Sequence, residues 1–183
     1  AIGDGSLGFW GALDEEFPET EHQICWIHKT ANVLDKLPKS LQGKAKTMIH
    51  NIYLSPTRKE ADIAFDIFIE EFEDKYPKAI DCLRNNRENL LNFYNYPAQQ
   101  WIHLRSTNVI ESTFSTVRLR TIKTKGCGSR IATLTMVFKL ILSAQKRWSR
   151  LRGHIKIKQV WDGIKFKDGL MVKEDGKLEE VIA

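Results

Sequence analysis

Residues 57–72 read TRKEADIAFDIFIEEF, and no other stretch constrains the fold as strongly. Ala61, Ala64, Phe65, Phe68 and Phe72 recur at the spacing of a single helix face. Thr57-x-x-Glu60 has the form of a capping box. Asp62, Asp66, Glu70, Glu73 and Asp74 largely avoid the apolar stripe and read as its solvated side. A face carrying three phenylalanines needs apolar partners, and the neighbouring segments offer them as further helices. Pro38 suits the first turn of a helix bearing Leu41, Ala45, Met48, Ile49 and Ile52. Pro77 opens another stretch with Ile80 and Leu83, broken near Asn85-Asn86 and resumed with Leu90, Leu91, Phe93 and Tyr94 until Pro97. Residues 29–104 are therefore predicted to form a compact helical block, with Trp26 and Trp101 as packing residues.

The flanks have a different grammar. Ala1-Ile2 reads as the end of a strand, Gly3-Asp4-Gly5-Ser6 as the loop leaving it, and 7–16 as a short helix with Leu7, Trp10, Leu13 and Phe17 on one stripe. HQICWIH at 22–28 is short and rich in β-formers and is predicted to be a strand. After the block comes a helix over 108–124, a Gly126-Cys127-Gly128 turn and a long helix over 130–151. On that helix Ile131, Leu134, Phe138, Ile141, Gln145 and Trp148 share a line, and Met136–Leu142 is apolar nearly all round, which predicts deep burial. Beyond Gly153, Asp-Gly pairs at 162, 168 and 175 predict turns and a small hairpin over 163–173, with no order expected after 174. The fold class read from this pattern is mainly α, with few strands.

Composition narrows the function. The chain has 183 residues, enough for one domain with a real core, and 42% hydrophobic content is ordinary for a soluble protein. No run of eighteen apolar residues predicts a membrane helix, and no secretion signal is visible. Three widely spaced cysteines, Cys25, Cys82 and Cys127, do not make a disulfide framework, which fits a reducing, cytoplasmic setting. Charge is divided unevenly: residues 1–100 hold 11 basic and 16 acidic side chains, residues 101–183 hold 17 and 7. Within 105–158 a single acid, Glu111, faces thirteen Lys and Arg. That imbalance points to a polyanionic partner or to a solvated basic face.

Three sets of residues are candidates for chemistry. Asp4 follows a strand end in a glycine-flanked loop, where α/β sheets place ligands, although from position alone a turn or helix cap is the plainer expectation. Asn108-x-x-Glu111 has capping-box spacing, and a carboxylate there gains about 0.3–1 kcal/mol from the helix dipole. Ile110, Phe114, Val117 and Thr121 run along one side of that helix, with Glu111, Ser115, Arg118 and Ile122 beside them. Glu111 is thus expected next to a buried stripe and in line with a phosphate-binding cation. Cys25-x-x-His28 is half of a zinc pattern without a second close Cys/His pair, so a buried cysteine is the plainer expectation.

DGSLGFWGALDEEFPETEHQICWIHKTANVLDKLPKS, HLRSTNVIESTFSTVRLRTIKTKG and MVFKLILSAQKRWSRLRGH, in this order, resemble the Mutator-type transposases of bacterial insertion sequences. The resemblance covers residue 3 to about residue 170. It implies a DDE-type enzyme with an RNase H-like catalytic core, in which Asp4 matches the second acid, Glu111 the third, and Cys25 and His28 a Cys-x-x-His element of uncertain role. Position 109 is Val where relatives often have Pro, which leaves Glu111 in place. The first acid has no counterpart here, so the chain is expected to be the C-terminal portion of such an α/β core.

The implied division is a partial core over 1–28, a helical insertion over 29–104, core helices over 105–152 and a basic tail over 153–183. Carboxylates of this kind hold Mg²⁺ or Mn²⁺ for in-line phosphoryl transfer. Arg118, Arg120, Lys123, Lys125, Arg130, Lys146, Arg147 and Arg150 are the expected DNA-binding cations. The expected partners are DNA, both element ends and target, and further copies of the intact enzyme, with no membrane and a bacterial, nucleoid-associated location. The alternative is a catalytically inactive DNA-binding remnant, and with one acid missing the isolated chain is expected to be inactive.

Overall fold

The stripe of residues 57–72 finds its partners in helices on both sides of it in sequence. A computed structural model of the chain describes residues 1–125, 128–173 and 175–179. It is mainly helical, 65% helix against 6% strand, and divides into two units: residues 1–106 with 152–183, and residues 107–151.

The first unit begins with β1 (Ile2–Gly3), α1 (Leu7–Glu16) and β2 (Gln23–Ile24). β1 and β2 pair in parallel, Ile2 opposite Gln23 and Gly3 opposite Ile24, so α1 is the crossover of a minimal βαβ unit. α1 buries none of its residues, and Leu7 and Phe9 are exposed. Next come α2 (Trp26–Leu34), α3 (Lys39–Leu54), α4 (Arg58–Phe72), α5 (Pro77–Arg84), α6 (Arg87–Leu91) and, after a 3₁₀ turn at Asn92–Asn95, α7 (Trp101–Leu104).

α4 starts as its sequence predicts. The Thr57 hydroxyl oxygen accepts from the Glu60 N–H, while the Glu60 carboxylate accepts from the Thr57 hydroxyl at 3.1 Å, which makes one half of a capping box. Ala61, Phe65, Phe68 and Phe72 are buried against Ala45, Ile49 and Ile52 of the adjoining α3. Ile80, Leu83, Leu90, Leu91, Phe93 and Tyr94 complete that core. Two acids from the outer side of α4 are not merely solvated. Asp62 and Asp66 accept from Arg87 at 2.8 and 2.6 Å, and the Arg87 guanidinium lies 4.7 Å from the Phe65 ring centre.

The strand predicted over 22–28 is corrected. Only Gln23 and Ile24 pair; Cys25 takes the N-cap position and the chain is helical from Trp26. Trp26, Lys29, Thr30 and Val33 are buried at helical spacing. The period was hidden because two of the four are polar. Polar partners explain their burial: the Trp26 indole N–H donates to Leu90 O at 2.8 Å, and the Lys29 amine donates to Asn86 Oδ1 at 2.6 Å and Cys82 O at 3.2 Å. The Gln23 amide donates to Leu90 O and its oxygen accepts from the Phe93 N–H. Burial pulls the Lys29 amine below its ordinary range.

The described part of the stretch expected as a separate basic tail, residues 153–173 and 175–179, folds back on this unit. A short α10 (Ile157–Trp161) leads to the antiparallel strands β3 (Phe166–Lys167), β4 (Leu170–Val172) and β5 (Leu178–Glu179). The predicted hairpin is thus present, and residues 175–179 form a turn and a third strand where no order was expected. The rest of that expectation lies outside the described residues. At the β3–β4 turn Asp168 and Gly169 both have positive φ, 50° and 81°. A Cβ on Gly169 would stand 2.5 Å from the Ala98 Cβ, so only glycine fits. This close approach lets Asp168 Oδ1 accept from the Arg58 N–H at 2.6 Å, capping α4 from 110 residues away.

The second unit consists of α8 (Asn108–Lys123) and α9 (Arg130–Gln145), packed as a helical hairpin. The Ser129 hydroxyl caps α9 by accepting from the Ala132 N–H. Two expectations are corrected here. α9 ends at Gln145 and not at 151, which leaves Lys146 at its C-cap and Arg147 and Arg150 beyond it. No residue of α9 is buried, and Ile131 and Phe138 remain 78% and 57% exposed. A single partner helix covers only one stripe of an all-round apolar helix. The half-buried residues are Thr133, Met136, Val137, Leu140, Ile141 and Ala144 on α9, and Thr113, Val117 and Thr121 on α8. The expected Gly126-Cys127-Gly128 turn falls largely outside the described residues.

Candidate functional site

Asp4 follows β1 directly, at the carboxyl end of one strand of the parallel pair. Its carboxylate accepts from the Ser6 N–H at 2.9 Å, an Asx turn that aims the chain into α1. Ser6, not Asp4, is the N-cap of α1, and Gly5 between them has φ 99°. Asp4 is exposed at the loop position where α/β units place ligands.

Glu111 lies in the first turn of α8. The cap assigned to Asn108 belongs one residue earlier, to Thr107. The Glu111 N–H donates to Thr107 O at 3.1 Å and its carboxylate accepts from the Thr107 hydroxyl. The carboxylate is exposed at the positive end of the helix dipole. The stripe expected beside it is also corrected, since Ile110 and Phe114 are 62% and 50% exposed. The helix turns the narrower set Thr113, Val117 and Thr121 inward, because small side chains allow close approach of α9. Glu111, Ser115, Arg118 and Ile122 share an exposed side.

All eight expected DNA-binding cations fall in the second unit and are exposed: Arg118, Arg120 and Lys123 on α8, Lys125 just after it, Arg130 opening α9, and Lys146, Arg147 and Arg150 at and past its end. Arg120 and Lys123 suit a helix C-terminus. Arg130 sits at a helix N-terminus, where a cation is disfavoured, so helix stability does not explain it. Among the described residues none of the eight is in an ion pair.

Cys25 and His28 sit at the N-cap and in the first turn of α2, the thiol fully buried and the imidazole half-buried. Cys25 is in no disulfide. Among the described residues no group of three His, Cys, Asp or Glu gathers to hold a metal ion. Nor is any helix among them long and apolar enough to cross a membrane.

A family model described as "Transposase, Mutator family" matches residues 1–150. The chain belongs to the Mutator family of transposases. It is 49% identical over 170 residues to the transposase for insertion sequence element IST2 of Acidithiobacillus ferrooxidans, covering 93% of this chain and 57% of that protein. It is 49% identical over 173 residues to the transposase for IS6120 of Mycolicibacterium smegmatis, covering 94% and 54%. It is 31% identical over 122 residues to the transposase for IS905 of Lactococcus lactis, covering 67% and 31%. The chain thus spans a little over half the length of the first two relatives. The family resemblance read from the DGSLG, CWIH and TNVIES motifs is confirmed.

Sequence reasoning passed over one pair of cations in this Mutator-family chain. Arg105 and Arg152 are 47 positions apart, and nothing in their local sequence distinguishes them. Arg105 is half-buried with its guanidinium 4.5 Å from the Phe93 ring centre and 5.1 Å from that of Trp101. Such contacts contribute about 0.5–2 kcal/mol each.

Proposed function

We propose that this chain contributes Asp4, Glu111 and a DNA-binding hairpin to a transposase that cuts and joins DNA strands with divalent metal ions. The single observation that carries the reading is the second unit: one acid among exposed, unpaired cations. A solvated surface gains nothing from excluding every other carboxylate, whereas a surface meeting DNA does, because additional acids repel phosphate.

The donor chemistry suits Mg²⁺ or Mn²⁺. Asp4 and Glu111 offer exposed carboxylate oxygens, the hard ligands these ions take. When bound, such ions activate the attacking oxygen and stabilise the leaving one in phosphoryl transfer. Arg118, Arg120, Lys123 and Lys125 hold phosphates and set the strand's position without reading its bases. The parallel βαβ start, with Asp4 at a strand's carboxyl end, supports an RNase H-like core. The trio of acids that the family resemblance implies is completed by a carboxylate outside this pair.

The test is strand transfer by a transposase extended to its relatives' length. Replacing Glu111 by Gln is expected to abolish transfer while DNA binding persists, and normal transfer by that variant would remove Glu111 from the site. A second reading, DNA binding without cleavage, is favoured by the basic hairpin taken alone, since phosphate contacts need no carboxylate. Salt-sensitive DNA binding by residues 1–183 with no strand cleavage supports it; absence of binding at low salt excludes it.

A further inference from the structure

Within the first unit, Gln99, Trp101, Ile102, Arg105, Arg152 and Gly153 line a cavity of about 480 Å³. Among the described residues no Asp or Glu lines it. The Arg105 Nε is buried without a hydrogen-bond partner, and among the described residues neither Arg105 nor Arg152 is in an ion pair. A guanidinium withdrawn from water ordinarily has a carboxylate or another acceptor. Aromatic faces attract the charge of Arg105 but offer no acceptor for its N–H groups. Burial accordingly pulls Arg105 below the ordinary arginine value, opposed by the Tyr94 and Tyr53 hydroxyls.

The second cation is placed by construction. The Arg152 N–H donates to His103 Nε2 at 2.9 Å, and the Gln100 side-chain amide donates to Gly153 O at 3.0 Å. Gly153 has φ 68°, and a Cβ there would stand 3.0 Å from both the Gln99 Cβ and the Gln100 Cγ. Chain segments far apart in sequence are thus held together beside one cavity, with two arginines and no acid.

We infer that this cavity receives one phosphate group of a DNA backbone between Arg105 and Arg152. A planar guanidinium matches phosphate oxygens with paired N–H donors. The contact is sequence-independent. Trp101 forms a wall of the cavity and is no free stacking surface, because its edge meets Phe93 and Tyr94 and its indole N–H donates to Tyr96 O at 2.9 Å. The DNA source rests on the function proposed above; the anion site does not.

The test uses the 183-residue chain with ¹⁵N-labelled arginine. Inorganic phosphate and a short single-stranded oligonucleotide, titrated separately, are both expected to shift the Arg105 Nε–H signal. Arg152→Gln, at an exposed position, is expected to weaken both shifts and to lower the salt slope of oligonucleotide binding by about one. A shift with phosphate but not with the oligonucleotide overturns DNA as the source. No shift with either ligand, or shifts unchanged in Arg152→Gln, overturns the site. Because the readout is a signal of Arg105 itself, it stands apart from the Glu111 activity test.

Discussion

Arg87 and Arg118 show how differently the two units use a cation. Arg87 is held by Asp62 and Asp66 and covers the Phe65 ring. Burial works against its charge, yet the hydrogen bonds to Asp66 and Asp62 raise its affinity for the proton above the ordinary value. Arg118 lies exposed on α8, in a unit whose sole acid is Glu111. The pattern extends further. In the first unit Arg58 pairs with Glu88, Arg84 with Glu73 and Lys44 with Glu71. The apolar residues divide in the same way, buried along α4 and largely exposed along α9. Paired charges and a closed core belong to a self-sufficient scaffold. In the second unit the cations are unpaired among the described residues and the apolar faces stay open, which suits the DNA-binding role proposed for it.

The sharpest break in this comparison concerns Glu111. In a full-length transposase, Glu111→Gln is expected to remove strand transfer without lowering the melting temperature, since the side chain is exposed. Equal loss of stability and activity would make Glu111 a structural residue.

Next in size is the contrast between two phenylalanines. Phe68→Ala is expected to destabilise the first unit by about 3–5 kcal/mol, whereas Phe138→Ala, measured in the same denaturant series, is expected to change stability by no more than about 0.5 kcal/mol. Comparable losses would show that α9 is packed as tightly as α4.

Charge removal tests the hairpin. Replacing Arg118, Arg120 and Lys123 together by Gln is expected to reduce the salt slope of DNA binding by about one for each phosphate no longer neutralised. Arg84→Gln in the first unit is expected to leave it unchanged, and an equal effect from Arg84 would dissolve the distinction.

Smaller effects refine the scaffold. Asp168→Ala removes the long-range cap on α4 and is expected to cost about 0.5–2 kcal/mol. For Lys29 the sign follows from burial, which lowers its folded value below 10.5. Between the folded value and 10.5 the unfolded chain binds more protons, so Lys29 makes stability rise with pH across that window. Lys29→Met is expected to abolish this rise in a pH series of urea melts. Its persistence would assign the rise to another group.

Legibility followed the range of the interactions. The α4 stripe, the break at Asn85-Asn86, the hairpin at Asp168-Gly169 and the family motifs were readable because each depends on spacing within a few residues. The start of α2 was not: Lys29 and Thr30 look like surface residues until Cys82 and Asn86 are placed beside the amine. The α8 cap was misplaced by one residue, because Thr107 and Asn108 are both good caps and the register was settled by the Thr107–Glu111 pairing. Deep burial of α9 was a fair inference from composition, but apolar residues state a demand for partners and do not supply them.

By itself, then, the sequence determined the helix-forming stripes, the segregation of charge and the membership of a transposase family, since local spacing and side-chain type encode all three. Tertiary structure decided which polar groups are buried, that residues 153–179 close back over the helical block, and that Arg105 and Arg152 meet at one cavity. These depend on interactions between residues tens of positions apart, whose partners no local pattern names.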